Sequence, residues 1–377
     1  MARICFFRLG ATPLFVPESS DLFGGAEVRA ITFARALAAR GNHEISFAMR
    51  ADERLPASCD GVRIVPVSGR PKGFAKLVGS VRRRLVSQPV PYAPIKDLEA
   101  DVVCCFGVHD PTANVIAGAR ACGKRSVLFL TSSEDVNDNV EGSAKKRREI
   151  QQHHYAIRNA DQIVVQTEFQ QHALLVRFGR ESVLVRNPID ISVTAEDVRR
   201  PRTHVLWVGR ADSDSKRADI CFELARQLPN IPFRIIMNDD CREVGERLRR
   251  NLPKSVTLER HVPLDEIESR FATSTVLINT SDSEGFPNTF LQAAKFATPI
   301  LSLNVDPDGM LSRKGCGELA GTVDRLVELI PEYHTRSPRV AAKAADARRY
   351  VECFHDVADR VVELELALEF ELERMAA

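Results

Sequence analysis

At 377 residues the chain is longer than one ordinary hydrophobic core and matches two domains of typical size. Hydrophobic residues at 44% and charged residues at 27% exclude a disordered or fibrous chain. The 52 basic and 51 acidic residues leave a formal charge of +1, which removes any global electrostatic case for binding nucleic acid. Nine cysteines, with no C-x-x-C pair and only Cys104 and Cys105 adjacent, suit a reducing compartment better than a disulfide framework. No apolar run approaches the roughly 18 residues of a membrane span, and "MARICFFRLG" lacks the apolar stretch and cleavage site of a signal peptide. The expected location is therefore the cytosol.

The first half alternates short β-rich apolar runs with amphipathic helical ones. In chain order these are "ICFF", a helix over 25–40, "ISFAM", "VRIVPV", a helix over 73–86, "DVVCCF", a helix over 111–122, "SVLFL", a helix over 143–158, "QIVVQ" and a helix over 167–178. Such alternation predicts a mainly parallel, doubly wound sheet. Residues 186–203, "RNPIDISVTAEDVRRPRT", break the rhythm with two prolines, several charges and few large apolar side chains, and are read as a linker. The pattern then restarts with "HVLWV", helix 216–227, "FRIIM", helix 241–251, "VTL", helix 264–272, "TVLINT", helix 287–296, "PILSL" and helix 321–330. Two Rossmann-like α/β domains in tandem are expected, over 1–196 and 197–353, with the cleft between them as the default ligand site. From Pro338 onward the chain is helical by composition, interrupted near "CFHD". Its apolar positions Val361, Val362, Leu364, Leu366, Leu368 and Phe370 form no single stripe, so a helix over 354–377 packing back on the first domain and a solvated helix are both compatible with it.

Several stretches carry candidate chemistry. In "DLFGGAEVRAITFARALAARG", Gly24 and Gly25 open a helix whose Val28, Ile31, Ala34 and Leu37 share a face. Paired glycines let the backbone approach an oxygen-rich ligand, and a helix N-terminus offers N–H groups to a phosphate; a simple hinge is the alternative. Residues 70–86 interleave Arg70, Lys72, Lys76 and Arg82 to Arg84 with apolar residues, as suits either an anionic lipid surface or a solvated face. In "CCFGVHDPTAN", His109 follows a strand and precedes a helix. His153 and His154 have no third ligand at metal spacing. In "HVLWVGRADSDSKRAD", a strand ends at Gly209 and Arg210 with Lys216 six residues on, and two cations at a strand's carboxyl edge suit a diphosphate. In "SDSEGFPNTFLQAA", Glu284, Gly285, Phe286 and Pro287 precede a helix whose Asn288 and Thr289 present first-turn N–H groups. Glu284 could cap that helix or accept hydrogen bonds from a ligand's hydroxyls.

The order Gly-Gly-Ala-Glu, Gly-Arg followed by Lys, and Glu-Gly-Phe-Pro leading to Thr298-Pro299 resembles the retaining glycosyltransferases of family 4, with the GT-B fold. "RNADQIVVQTEFQQHALLVRFG", "VRNPID" and "RRYVECFHD" extend the resemblance over nearly the whole chain. It implies transfer of a sugar, hexosyl in type, from a nucleotide-diphosphate donor to a glycan or lipid-linked acceptor hydroxyl, as in polysaccharide biosynthesis, with retention and without a bound metal or other cofactor. Carried over, Arg210 and Lys216 stabilise the leaving diphosphate, Gly25 approaches it from the other domain, and the amides around Asn288 and Thr289 complete the cradle. Glu284 matches the first acid of the family's Glu-x7-Glu motif, beside the donor sugar. The second acid, commonly on the ribose hydroxyls, aligns with Gln292, which keeps the hydrogen bonds but loses their charge assistance. His109 would donate to the sugar or orient the acceptor. The acceptor side is the N-terminal domain, where 70–86 would meet the inner face of the membrane. A non-catalytic nucleotide-sugar-binding protein and a sugar-nucleotide epimerase are the rival readings of the same fold. A dehydrogenase is disfavoured because no G-x-G-x-x-G follows "ICFF".

Overall fold

The computed structural model describes residues 1–16, 23–67, 89–108, 110–137, 144–211, 215–238, 242–260, 262 and 264–376. The expected helix 73–86, the basic stretch 70–86 that contains it, and His109 lie outside the described residues. The chain forms two compact units, Met1–Pro188 with Val357–Ala377, and Ile189–Asp356.

The first unit is built on an eight-stranded sheet of β1 (Arg3–Phe7), β2 (Glu44–Arg50), β3 (Ser58–Cys59), β4 (Val62–Val67), β5 (Val102–Phe106), β6 (Arg125–Phe129), β7 (Gln162–Val165) and β8 (Val183–Leu184), in the order β3-β4-β2-β1-β5-β6-β7-β8. All pairs are parallel except β3 with β4. That hairpin closes on Asp60 and Gly61, both at positive φ (50° and 78°), the two-residue turn that Asp-Gly favours. Helices α1 (Gly25–Arg40), α2 (Asp110–Ala121), α3 (Ala144–Asn159) and α4 (Glu168–Phe178) connect the strands. Strands covered on both faces read as continuous apolar runs, and β5, "VVCCF", is buried throughout. Successive side chains point to opposite faces, so Cys105 and Cys104 join separate clusters on the two sides of the sheet. Burial pushes the Cys5 thiol up to about 11 and raises those of Cys104 and Cys105 further. All cysteines of the described residues are free.

Two buried charges hold α1 down. Arg29 is 2% exposed, donates to the carbonyls of Leu130 (2.8 Å) and Val185 (3.1 Å), and lies against the rings of Phe33 and Phe129. Burial without a carboxylate partner pulls its guanidinium down to about 9. Glu27 belongs to the candidate site below.

The second unit has a fully parallel six-stranded sheet of β9 (His204–Arg210), β10 (Phe233–Asn238), β11 (Val256–Glu259), β12 (Ser274–Asn279), β13 (Ile300–Ser302) and β14 (Gly317–Leu319), ordered β11-β10-β9-β12-β13-β14. Its helices are α5 (Ala195–Arg199), α6 (Ala218–Gln227), α7 (Arg242–Arg250), α8 (Leu264–Ala272), α9 (Asn288–Lys295), α10 (Val323–Thr335) and α11 (Pro338–Phe354). β14 pairs so closely with β13 that a Cβ on Gly317 would lie 2.2 Å from the Ile300 carbonyl oxygen. α11 stops at His355, and the chain re-enters the first unit as α12 (Val357–Ala376). There Val361, Leu364 and Leu368 join the core that holds α1, while the buried Glu365 accepts from Arg40 (2.6 Å) and Asn42 (3.0 Å).

Both sheets are doubly wound. Strand order reverses between β1 and β5 in the first unit and between β9 and β12 in the second. In open α/β sheets, ligands bind outside the carboxyl ends of the strands at that reversal.

Candidate active site

In the second unit the reversal gathers two loops. β9 runs out through Gly209 into the exposed Arg210. Gly209 is bare for a steric reason: a Cβ there would meet the Trp207 ring at 2.7 Å. Trp207 is buried, and its indole N–H donates to Thr280 Oγ1 at 2.9 Å. The Thr280 hydroxyl lies 2.7 Å from the carbonyl oxygen of Lys216 and 3.0 Å from that of Arg217. Arg217 sits at φ 52° as the N-cap of α6, with its guanidinium 3.4 Å from both Asp219 and Asp282. The amide of Asp282 donates to Ser215 at 3.0 Å, fastening the two loops together.

β12 leads through Thr280 and Ser281 to Glu284. The Lys216 ammonium is ion-paired with the Glu284 carboxylate, which also accepts from Ser281 Oγ at 2.8 Å. Sequence spacing separates Lys216 and Glu284 by 68 residues; the β9–β12 adjacency brings them into contact. Behind them Gly285, Phe286 and Pro287 are buried, and the Phe286 ring packs on His355 at 4.6 Å. Helix α9 starts at Asn288, with Pro287 as an N-cap in extended conformation. Proline carries no side-chain acceptor, so the first-turn amides at Asn288 and Thr289 receive no cap from it, and the positive end of the helix dipole faces the loop that carries Glu284. Gln292 is half-buried in the second turn.

The first unit contributes a separate cluster at its own reversal. Arg8, just past β1, pairs through Nε with Glu27 Oε1 at 2.6 Å and donates through Nη1 to the Phe106 carbonyl at the end of β5, 2.9 Å away. The other Glu27 oxygen accepts from the amide of Gly24 at 2.9 Å, the position a capping-box Glu takes three residues into a helix. Glu27 is 6% exposed. Burial pushes its carboxyl up, but the Arg8 charge and the hydrogen bonds from Arg8 and the backbone outweigh it, and the group sits below the ordinary carboxylate range. Gly24 and Gly25 themselves are exposed.

Sequence reasoning named Lys216, Glu284, Arg210 and the α9 start; it missed Trp207 and Thr280, which meet only once β9 and β12 lie side by side, and Ser281, whose hydroxyl acts locally on Glu284 three residues on. Arg8 carried no local signal; Glu27 did, as the acid three positions after Gly24. His153 Nε2 lies 2.7 Å from the Asp135 carbonyl oxygen, and both His153 and His154 pack on Phe178. Among the described residues, no three His, Cys, Asp or Glu side chains gather as a metal-holding group, and no helix is long and apolar enough to cross a membrane.

Residues 23–193 match the family model for Glycosyltransferase Family 4, and residues 202–330 match that for Glycosyl transferases group 1. No curated protein matches the chain in sequence. Among solved structures, sucrose-phosphate synthase from Thermosynechococcus elongatus is similar with a TM-score of 0.75 at 14% identity, covering 100% of both chains. Anabaena HepE in complex with UDP-glucose reaches 0.73 at 15% identity over 98% of this chain and 100% of its own. WaaG, a glycosyltransferase involved in lipopolysaccharide biosynthesis, reaches 0.66 at 17% identity over 96% of this chain and 98% of its own. At such identities the structural likeness speaks for the fold, and the two family models, which together span most of the chain, speak for the activity. With two parallel α/β units and glycosyltransferase models matched side by side along it, the chain belongs to the glycosyltransferases of the GT-B fold.

Proposed function

We propose that the enzyme is a retaining, metal-independent glycosyltransferase that moves a sugar from a nucleoside-diphosphate donor to a hydroxyl of a glycan or lipid-linked acceptor. The observation that carries this reading is the Lys216–Glu284 pair at the β9–β12 reversal, in front of the α9 N-terminus. HepE, which shares the fold, is seen with UDP-glucose, and that supports a nucleotide sugar as donor.

In this reading Lys216 and Arg210 neutralise the diphosphate as it departs, Arg210 as a fork and Lys216 as a point charge. The amides at Gly285, Phe286, Asn288 and Thr289, with the α9 dipole behind them, add donors aimed at developing negative charge; Pro287 has no N–H and sets the entry angle. Glu284, already oriented by Ser281, accepts hydrogen bonds from the donor sugar's hydroxyls, and Gln292 takes the ribose hydroxyls. His109 orients the sugar or the acceptor, and Gly24 and Gly25 offer backbone to an oxygen-rich ligand at the other unit's reversal. The bond from the anomeric carbon to the diphosphate breaks as the acceptor oxygen bonds the same face, and the acceptor's proton passes to the departing phosphate. Charge neutralisation by protein cations is what lets the reaction proceed without Mg²⁺. A peripheral membrane contact through residues 70–86 and a cytosolic location at the inner face rest on sequence alone.

A thermal-shift panel of UDP, GDP, dTDP and ADP sugars, run with and without EDTA, tests the proposal. A ligand bound only by the native state raises Tm by mass action, about 2.7 kcal/mol of stabilisation at 100 times Kd. One nucleotide class is expected to raise Tm by several degrees equally in both conditions. No shift with any donor, or a shift abolished by EDTA, would refute the reading.

A further inference from the structure

We propose that Thr280 is the positioning residue of the donor site, its single hydroxyl fixing the backbone of Lys216 so that the ammonium group stands over Glu284. This rests on the donor reading above. Thr280 is fully buried. A hydroxyl has one proton and two acceptor sites. The Trp207 indole N–H occupies one acceptor site at 2.9 Å, which turns the proton towards the Lys216 carbonyl at 2.7 Å and, as a shared partner, the Arg217 carbonyl at 3.0 Å. Three groups, one from β9 and two from the loop that follows it, therefore meet on one oxygen atom.

The arrangement has something to hold. Arg217 adopts φ 52°, a left-handed conformation that a side chain larger than glycine's populates only when its surroundings enforce it. Lys216 immediately precedes this strained residue, so any relaxation at Arg217 redirects the ammonium group. The enforcing contacts are the Thr280 hydroxyl, the Asp282 amide on Ser215, and the ion pairs of Arg217 with Asp219 and Asp282. The ion pairs are partly solvated, whereas the Thr280 side chain and its bond from the Trp207 indole are buried, and its bonds to the two carbonyls are partly so. Trp207 is the chain's single tryptophan, so its emission reports this junction without interference from another indole.

Valine matches threonine in shape, which makes Thr280→Val a removal of the hydroxyl with little change in packing. It leaves an indole N–H and two carbonyls without their common partner. Thr280→Ser keeps the hydroxyl. The experiment compares wild type, Thr280→Val, Thr280→Ser and Lys216→Ala by hydrogen exchange of residues 215–219 in the ligand-free protein, by Trp207 emission, and by kcat and KM with the donor selected in the panel. For Thr280→Val, exchange in 215–219 is expected to quicken at least ten-fold, the emission to shift, and kcat to fall at least ten-fold, with Tm lowered by only a few degrees and Thr280→Ser close to wild type on all counts. Unchanged exchange or unchanged kcat in Thr280→Val, while Lys216→Ala is strongly impaired, would overturn this inference alone. If Lys216→Ala transfers sugar like wild type, the donor reading fails, and this inference with it.

Discussion

Lys216→Ala is expected to lower kcat by about 100- to 1000-fold, the loss of roughly 2.7–4 kcal/mol that removal of one preorganised charge-stabilising donor typically produces. Its ammonium group stands at the sheet's reversal, half-buried and paired with Glu284, with its backbone already fixed. In the free protein the two side chains neutralise each other. On the proposed reading, the diphosphate of an arriving donor supplies negative charge to Lys216 and the sugar hydroxyls supply donors to Glu284, so each side chain has a new partner ready. On that reading, removing Lys216 subtracts the cation where leaving-group charge develops, which acts on the transition state more than on ground-state binding. The check is steady-state kinetics: kcat should collapse while KM for the donor changes by less than ten-fold. A fall confined to KM would mean that Lys216 binds the donor without assisting departure.

The second large effect lies in the other unit. Glu27→Ala should destabilise the protein by about 3 kcal/mol, the low end for breaking a buried ion pair, because the Arg8 side chain retains 20% exposure and keeps some solvation. For a unit of this size that is a Tm lower by roughly 6–12 °C. The loss has a physical origin in three places at once: the Arg8 guanidinium loses its carboxylate partner, the Gly24 amide loses its acceptor, and the link from α1 to the end of β5 through Arg8 loosens. The effect also carries a pH signature. The folded-state carboxyl of Glu27 lies below its unfolded value, so its contribution is fully present above the unfolded pKa of about 4.3 and disappears as pH falls through the folded value. Denaturant melts of wild type and Glu27→Ala should therefore differ most near neutrality and converge towards acid. A gap that stays constant down to the acid limit would show that the charge on Glu27 is not what stabilises the pair.

Much of this architecture is legible before folding is considered. The alternation of apolar β runs with 3.6-periodic helices gave helices at 25–40, 264–272 and 287–296, and the structure has Gly25–Arg40, Leu264–Ala272 and Asn288–Lys295. Local chemistry is strong at those positions, with Gly41 at φ 72° closing α1 and Pro287 at the entry to α9. The shortfalls have particular causes. The Asp60-Gly61 hairpin has no periodic signal because its first strand is two residues long. β14 spans three residues and is recruited by its partner β13, not by its own propensity. The stripe on α12 is Val361, Leu364, Glu365 and Leu368, a regular helical face that the glutamate disguises; Glu365 is buried because Arg40 and Asn42 bring it two partners from the far end of the first unit's sequence.

The candidate site divides in the same way. Strand ends followed by glycine, cations and a proline-headed helix are local patterns, so Arg210, Lys216, Glu284 and Asn288 could be named from sequence. The hydroxyl that joins Trp207 to Lys216 links positions 64 and 73 residues away from Thr280, and Arg8 reaches Glu27 and the end of β5 across 19 and 98 residues. Contacts of that kind exist only once the parallel strands are in order.

Hydrogen exchange of the wild-type protein, measured with and without the nucleotide sugar that stabilises it, locates the donor most directly. Protection is predicted in two segments, 209–217 after β9 and 280–292 across the Glu284 loop and the first turns of α9. Protection absent from both segments while the ligand is bound would contradict a donor site at the β9–β12 reversal.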